Sequence, residues 1–340
     1  MSFQAEFERD QDHVETLFLS LGRAEDLLSR LDERVRSCGF PEGWRTRADV
    51  RAVVGAMAAE GLSVHPEDLI LHDLGADARL PDATVARARQ VLQARRRAAA
   101  GGGEILSWAG VAWMSGQSRR APPLGQRPTT VIPGAQRTHL GYVGLAAFVS
   151  GLAKGEAETG RPGVEECLGV FDLSDLPPLL LAAAFMEAWR LVDPLPRHRP
   201  LGGLLASQFL KASGRFTAGL FPLEVARARR PMPGRLAWAG PAERLTYWLG
   251  IYEVAARLEL EELVRLGHQK ALVDRRAGGG RRSSRAPALA ALAVTSPVIT
   301  TDLVVSALGI TPQASLQLIA KFGNVLHEIT GRTRYRVWRL

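Results

Sequence analysis

The stretch "TTDLVVSALGITPQASLQLIAKFG", residues 300–323, predicts two short helices separated by a tight turn. Thr300 or Thr301 can cap the first helix, and Gly309 can adopt the left-handed conformation that ends it. Thr311 can cap the second helix in the same way. Two helices joined by a short turn form a helix-turn-helix, in which the second helix enters the major groove of DNA. The stretch therefore predicts a DNA-reading unit.

The second predicted helix, residues 312–322, has an apolar and a polar face. We expect Leu316, Ile319 and Phe322 to turn inward. The residues expected to contact DNA from this segment are Thr311, Gln313, Ser315, Gln317 and Lys321. A glutamine amide can pair with an adenine edge, and a lysine can reach a phosphate or a guanine.

The following stretch "HEITGRTRYRVWRL", residues 327–340, predicts a β-hairpin. Ile329, Tyr335 and Val337 supply strand residues around the turn "TGRT". The side chains expected to project toward DNA are Arg332, Arg334 and Arg336. A basic ribbon behind a helix-turn-helix is the wing of a winged-helix domain. The alternative is a three-helix cap with a basic tail that binds no DNA.

The distribution of charge favours the DNA-binding alternative. The 340 residues carry a net charge of +8. Residues 1–75 contain 15 acidic and 8 basic residues, whereas residues 265–340 contain 3 acidic and 12 basic residues. A basic C-terminal part on a less basic body is typical of a nucleic-acid reader.

Composition predicts a globular protein of the cytoplasm. Hydrophobic residues make up 46% of the chain, and its two cysteines give neither a disulfide framework nor a zinc-binding spacing. The longest apolar run, "LLLAAAFM" at residues 179–186, is too short to span a bilayer. The histidines and carboxylates of residues 65–77 match no metal motif. We therefore expect no membrane segment, no metal site and no cofactor.

The body is expected to be mainly α-helical, because few windows alternate between polar and apolar residues. The predicted helices cover residues 13–37, 47–60, 82–97, 140–154, 175–192, 201–213 and 242–273. The stretch "RRAGGGRRSSRAP", residues 275–287, combines three glycines, two serines and five arginines, and predicts a flexible basic tether. The expected division is a body of residues 1–274, a linker of residues 275–286 and a winged helix of residues 287–340.

The C-terminal ending resembles the winged helix that ends many Fic-domain proteins, and one body segment resembles the Fic active-site region. That segment is "WRLVDPLPRHRPLGGLLASQFLKASG", residues 189–214. The resemblance places Asp193 where the family has its general-base histidine, and "PRHRP" where it has a Gly-Asn-Gly-Arg turn that holds nucleotide phosphates. His198 is nearby but out of register. The resemblance thus implies a body without the Fic catalytic residues.

Two further segments resemble Fic proteins in the same order along the chain. The stretch "AMAAEGLSVHPEDL", residues 56–69, is similar to the Fic inhibitory helix motif, with Glu60 and Gly61 matching and Ala56 in place of a serine or threonine. The stretch "ERLTYWLGIYEVAARLELEELVRL", residues 243–266, is similar to the helix that follows the Fic active site. Glu60 and Asp193 are therefore expected at degenerate Fic-like positions.

The whole chain resembles an alphaproteobacterial family of unknown function that joins a Fic-like body to a C-terminal helix-turn-helix. The stretches that carry this likeness are "ARQVLQARRRAAA", "GRRSSRAPAL" and "GRTRYRVW". The resemblance concerns the fold. The predicted winged helix, by contrast, indicates a DNA-binding transcriptional regulator, with double-stranded DNA as its partner and a homodimer as a possible assembly. Two alternatives stay open: a Fic-type enzyme that transfers AMP to a protein hydroxyl, and an interaction module that binds no DNA.

Overall fold

The structure, a computed structural model, describes residues 3–76, 80–123, 162–172, 176–278, 285–331 and 336–340. In these ranges the body helices are α1 (Phe3–Ser37), α2 (Pro41–Ala59), α3 (Pro66–Asp73), α4 (Ala83–Ala100), α5 (Trp108–Met114), α6 (Pro162–Gly169), α7 (Pro178–Val192), α8 (Leu201–Ala212), α9 (Glu224–Arg227) and α10 (Pro241–Ala277). The C-terminal unit contains α11 (Ala286–Thr295), β1 (Ile299–Thr300), α12 (Thr301–Leu308), α13 (Pro312–Ala320), β2 (His327–Glu328) and β3 (Val337–Arg339).

The mainly helical class is confirmed, and most predicted body helices are present with shifted ends. The first helix starts ten residues before the predicted position, at Phe3. The predicted helix 140–154 lies outside the described residues. The structure adds α5, α6 and α9, which are too short to show a clear helical period in sequence.

The core of the body forms where α1, α7, α8 and α10 pack together. The apolar positions of α1 repeat at helical spacing, and all of them are buried: Leu17, Leu21, Ala24, Leu28, Leu31 and Val35. Every residue of α7 from Leu179 to Trp189 is also buried. A helix that is buried on all sides belongs at the centre of a core, and α7 is such a helix; its one buried charge, Glu187, is paired with Arg190 and Arg244.

The end of α7 positions one of the Fic-like residues. Asp193 follows the helix with φ 44° and ψ 53°, in the left-handed region, and its backbone N–H donates to the carbonyl of Trp189 at 3.0 Å. Aspartate is one of the few residues other than glycine that enter this region with modest strain. The chain therefore turns sharply here, toward Arg199.

The C-terminal unit has its own core, but α10 contributes to it. Val273 and Ala277 pack with α11, α12, α13 and Trp338. Arg275 and Arg276 are exposed on the same helix, which ends at Ala277. Residues 275–277, predicted as the start of the linker, continue α10 in the structure, where Val273 and Ala277, four positions apart, bury one face of its last turn. Residues 279–284 lie outside the described residues.

Three short antiparallel strands complete the unit in the order β1-β3-β2. Ile299 pairs with Trp338, and His327 pairs with Arg339. The sequence predicted two of these strands as a hairpin. It gave no sign of β1, because a two-residue strand cannot show an alternating pattern.

No single helix in the described parts of the chain is long and apolar enough to cross a bilayer. The helices α12 and α13 pass that test by length and composition when taken together, but they are bent by 107° at the turn between them.

Candidate nucleic-acid interface

The helix-turn-helix is built from α12 and α13, which meet at a bend of 107°. This angle lies within the range of about 90–120° that is usual for the motif. The hydroxyl of Thr300 caps α12 by accepting from the N–H of Leu303 at 3.1 Å. The hydroxyl of Thr311 caps α13 by accepting from the N–H of Ala314 at 3.2 Å. Gly309 ends α12 at φ 64°, which confirms the predicted left-handed stop.

The inner face of α13 differs from the predicted one. Its buried residues are Ser315, Leu318 and Ile319, and Phe322 follows in the same core. Leu316 is instead 40% exposed, so its predicted inward orientation is wrong. The buried positions lie three or four residues apart and form one stripe toward the core, whereas Leu316 follows Ser315 by about 100° around the helix.

The burial of Ser315 also corrects its predicted role in DNA contact. This side chain is fully buried, and its hydroxyl donates to the carbonyl of Thr301 in α12 at 3.5 Å. A small polar residue at this point lets the two helices approach closely. Ser315 therefore belongs to the packing of the motif and cannot reach a base.

The outer face of α13 carries the other predicted contacts from this helix. Gln313, Gln317 and Lys321 are exposed, as is Thr311 at the helix start. Leu316 lies between the two glutamines on the same surface, because positions three and four apart are neighbours on a helix. This surface is the part of the unit that a major groove could receive.

The end of α13 also contacts the body. The Nε of Arg276 donates to the carbonyl of Lys321 at 2.6 Å. Arg276 thus places an exposed cation beside the C-terminal end of the helix, where the helix dipole is negative. Sequence analysis placed this arginine in a tether and did not predict the contact.

Of the three arginines predicted to project from the wing, Arg336 lies within the described residues. Arg336 is exposed, its Nε donates to Glu328 Oε2 at 2.7 Å, and its guanidinium lies 5.2 Å from the ring centre of Trp338. The hydrogen bond to Glu328 raises the pKa of Arg336. Arg332 and Arg334, the other predicted wing contacts, lie outside the described residues.

The C-terminal unit is attached to the body through the end of α11. Arg47 of α2 donates to three carbonyls there, at 2.6 Å to Val294, 2.7 Å to Ser296 and 3.0 Å to Ala293. The last carbonyls of a helix lack intrahelical partners and carry partial negative charge, so a guanidinium both satisfies and stabilises them. Burial, together with the nearby charges of Arg51 and Arg265, lowers the pKa of Arg47 to about 10.

A glycine makes this close approach possible. A Cβ at Gly43 would lie 2.2 Å from the carbonyl oxygen of Val294, too close for any side chain. One turn further, the hydroxyl of Thr46 donates to the carbonyl of Thr295 at 3.1 Å. The sequence "GWRTR", residues 43–47, therefore holds α11 with its small residue, its hydroxyl and its guanidinium.

A second contact joins the sheet to α3. Leu71 of α3 packs against Val298 and Val337, and Arg339 forms an ion pair with Glu67. The attachment thus uses α11, the residues before β1 and strand β3. It does not use the outer face of α13.

Glu60 and Asp193, the two positions singled out by the predicted Fic resemblance, lie in one charged cluster. Asp193 accepts from the Nε of Arg199 at 2.9 Å, and Glu60, at the end of α2, forms an ion pair with Arg87 of α4. The pKa of Arg199 is raised chiefly by Asp193, with a contribution from Glu60. Burial raises the pKa of Glu60, against the pull of Arg87. His198 is adjacent, and burial and Arg87 lower its pKa.

Both carboxylates of this cluster are paired with arginines, Glu60 with Arg87 and Asp193 with Arg199. Asp193 is held by the guanidinium of Arg199 on a surface turn. Residues 196–198 form a short 3-10 turn between them. The cluster therefore provides attachment between α2, α4 and the turn after α7.

Comparison with family models matches two segments of the chain. Residues 168–278 match the family described as a protein of unknown function (DUF1612), and residues 286–340 match the HTH DNA binding domain. The C-terminal unit is therefore a helix-turn-helix DNA-binding domain, as the sequence predicted.

The chain is 30% identical to the protein described as uncharacterized protein y4cF of Sinorhizobium fredii, over 91% of this chain and 93% of that one. It belongs to the family of that protein, which confirms the expected alphaproteobacterial family. Among solved structures, a Fic family protein from Desulfovibrio desulfuricans G20 is similar, with a TM-score of 0.48 and 14% identity over 96% of this chain and 95% of that one. That likeness concerns the course of the chain alone.

Proposed function

We propose that this protein is a transcriptional regulator, in which the outer face of α13 reads double-stranded DNA. The observation that carries the proposal is the position of the docking contacts. The body holds the C-terminal unit through α11, β3 and the last turn of α10, and the side chains of Gln313, Gln317 and Lys321 stay exposed while Arg276 bonds only the backbone carbonyl of Lys321. A DNA-binding domain can therefore be fixed to the body and still offer its recognition helix to a major groove.

The charge of the C-terminal part supports the same proposal. Its excess of basic residues would attract the phosphate backbone of any sequence, and side chains on α13 would then discriminate between bases. The sequence-predicted wing contacts Arg332, Arg334 and Arg336 belong to the first, non-specific group. Gln313 and Gln317 belong to the second.

For the body, we propose a role in regulation without nucleotide transfer. The Fic-type alternative, transfer of AMP to a protein hydroxyl, needs a free base and a phosphate-binding turn. Asp193 is paired with Arg199 instead, and its carboxylate would repel nucleotide phosphates. Incubation with labelled ATP and magnesium should leave the protein and candidate targets unlabelled. Labelling of the unmodified protein that is lost in Asp193→Ala or His198→Ala would instead support the AMP-transfer alternative.

The remaining alternative is an interaction module that binds no DNA, alone or as a homodimer. In this alternative, a partner protein contacts the outer face of α13, whereas in the proposal a major groove of DNA does. The proposed localisation is the cytoplasm, where a DNA-binding protein of a bacterium can reach the chromosome. Light scattering of the full chain, with and without duplex, would give the assembly state.

The experiment that tests the function is binding of the full chain to duplexes from its own promoter region, followed by fluorescence anisotropy at several salt concentrations. We expect salt-sensitive binding, because released counterions favour phosphate contacts. Gln317→Ala should reduce the preference for the best sequence, whereas Gln90→Ala, an exposed glutamine on α4, should not. Absence of binding at about 50 mM salt, where phosphate contacts are strong, would contradict the proposal.

A further inference from the structure

The exposed surface of α13 contains a small, uncharged patch at its centre. Gln313, Leu316 and Gln317 occupy positions i, i+3 and i+4, so their side chains are neighbours on one face. Leu316 is 40% exposed, while Leu318 and Ile319 of the same helix are buried. A leucine at the centre of a face otherwise suited to polar contact calls for an apolar partner outside the domain.

The edges of the bases in the major groove identify that partner. Adenine presents an acceptor at N7 and a donor at N6, which match the two ends of a glutamine amide. Thymine presents a 5-methyl group, which matches an aliphatic side chain. Guanine and cytosine are read best by cationic and anionic side chains respectively. None of the three residues in the patch is charged, so its chemistry fits A·T pairs and does not fit G·C pairs.

The dimensions agree with adjacent base pairs. Positions i and i+4 are about 6 Å apart along a helix axis, at 1.5 Å per residue. Successive base pairs are about 3.4 Å apart along the duplex. Gln313 and Gln317 would thus face base pairs about two steps apart, with Leu316 between them. Lys321, four residues after Gln317, follows the last residue of α13 and is exposed.

We propose that Gln313, Leu316 and Gln317 make this protein selective for A·T base pairs, with the two amides on adenine edges and Leu316 against the methyl group of a thymine. The inference rests on the proposed DNA-reading function and adds the class of sequence that the helix selects. It assigns Leu316, which the sequence pattern placed in the core, as a specificity-determining residue.

The first test is selection of binding sites by the full chain from a library of random duplexes. We expect two to three consecutive A·T pairs in the selected core. Gln313→Ala and Gln317→Ala should each weaken binding to the selected site on the order of tenfold, the value of one good base pairing. Both should leave binding to unrelated duplex unchanged. Selection of a G·C core would overturn the proposal.

The second test removes the thymine methyl group alone. Replacing thymine by deoxyuridine in the selected core should weaken binding of the unmodified protein by about fourfold, the value of one buried methyl group. Leu316→Ala should weaken binding to the thymine site by a similar factor and should no longer distinguish deoxyuridine from thymine. Leu316→Met, which keeps an apolar tip, should restore part of the discrimination.

The control is Leu19→Ala, which removes an exposed leucine from α1 in the body and should leave the thymine preference intact. Equal binding of thymine and deoxyuridine sites by the unmodified protein would overturn the role of Leu316 while leaving DNA binding established. Failure to bind any duplex would instead overturn the proposed function. Circular dichroism of each variant separates loss of the contact from loss of the fold.

Discussion

Arg47 in α2 donates a hydrogen bond to the carbonyl of Val294 at 2.6 Å, across 247 positions of sequence. Together with Gly43 and Thr46, it closes the end of α11 with groups from another part of the chain. The DNA-binding domain therefore packs against the body through α11, the first helix of the domain. Gln313, Gln317 and Lys321 on its recognition helix stay exposed.

Removing the guanidinium should loosen this attachment. Arg47→Met would leave the carbonyls at the end of α11 without their donor, and we expect a loss of about 1.5–3 kcal/mol in the free energy of unfolding, the usual value for hydrogen bonds to a charged group. Urea unfolding gives the loss, and hydrogen exchange should show faster exchange in the last turn of α11. Arg30→Met, which breaks an exposed pair with Asp26, should cost less than about 1 kcal/mol. Equal losses in the two variants would contradict the attachment.

Gly43 and Gly22 should respond in opposite directions to the same substitution. A Cβ at Gly43 would meet the carbonyl of Val294 at 2.2 Å, whereas a Cβ at Gly22 in α1 has nothing within 4 Å. Gly43→Ala should therefore destabilise the protein and displace α11. Gly22→Ala should stabilise it by about 0.5–1 kcal/mol, the propensity gain of alanine over glycine in a helix. Thermal unfolding of the two variants side by side measures both signs, and a stabilising Gly43→Ala would be inconsistent with the close approach.

Glu60 should make stability depend on pH. Burial raises the pKa of its carboxyl in the folded protein above 4.5, despite Arg87, Arg199 and Arg227 nearby. The folded state then binds the proton more tightly than the unfolded state. The contribution of Glu60 to stability is full below pH 4.5 and falls as pH rises through the folded pKa. Relative to Glu60→Gln, the unmodified protein should lose stability over that window.

Urea unfolding at several pH values, with carboxyl ¹³C NMR of Glu60, measures this difference. A relative gain in stability with rising pH would mean that Arg87 outweighs burial, and the sign of the predicted shift would then be wrong.

The wing pair should limit non-specific DNA binding. Glu328 accepts a hydrogen bond from Arg336, and its negative charge balances the positive charge of the guanidinium. Glu328→Gln should free one cation, raise affinity for all duplexes and steepen the dependence of log affinity on log salt by about one unit. Glu165→Gln, which makes the same change of charge on α6, is the matched control and should leave the slope unchanged. Identical slopes for the two variants would place the wing away from the phosphates.

The parts of the fold that follow from short-range chemistry could be predicted. Thr300, Gly309 and Thr311 end and begin helices through contacts within four residues, so their roles follow from sequence alone. The buried face of α13 could not be assigned as easily. Leu316 and Ser315 are adjacent, and hydrophobicity predicted that Leu316 would be buried, whereas Ser315 is the buried residue. Only the packing of α12 against Ser315 shows which side is inward.

The attachment between the two parts was beyond sequence reasoning. The bonds from Arg47 and Thr46 join residues nearly 250 positions apart, and nothing local marks these side chains as different from the other arginines and threonines. The run of glycines and arginines after residue 277 suggested a free tether, because composition does not reveal the tertiary contacts that the flanking residues make. The predicted division of the chain stays a prediction, and proteolysis between residues 279 and 284 would test whether the two pieces remain associated.

The helix α10 sets the direction in which the recognition helix faces. It has 37 residues, about 55 Å of continuous helix at 1.5 Å per residue, and it lies in the body core at one end and in the C-terminal core at the other. One residue inserted after Gly267 would rotate Val273 and Ala277 by about 100° about the helix axis. The C-terminal core would turn with them, away from Gly43. The number of residues in α10 therefore fixes the rotation of the C-terminal core about the helix axis relative to the body.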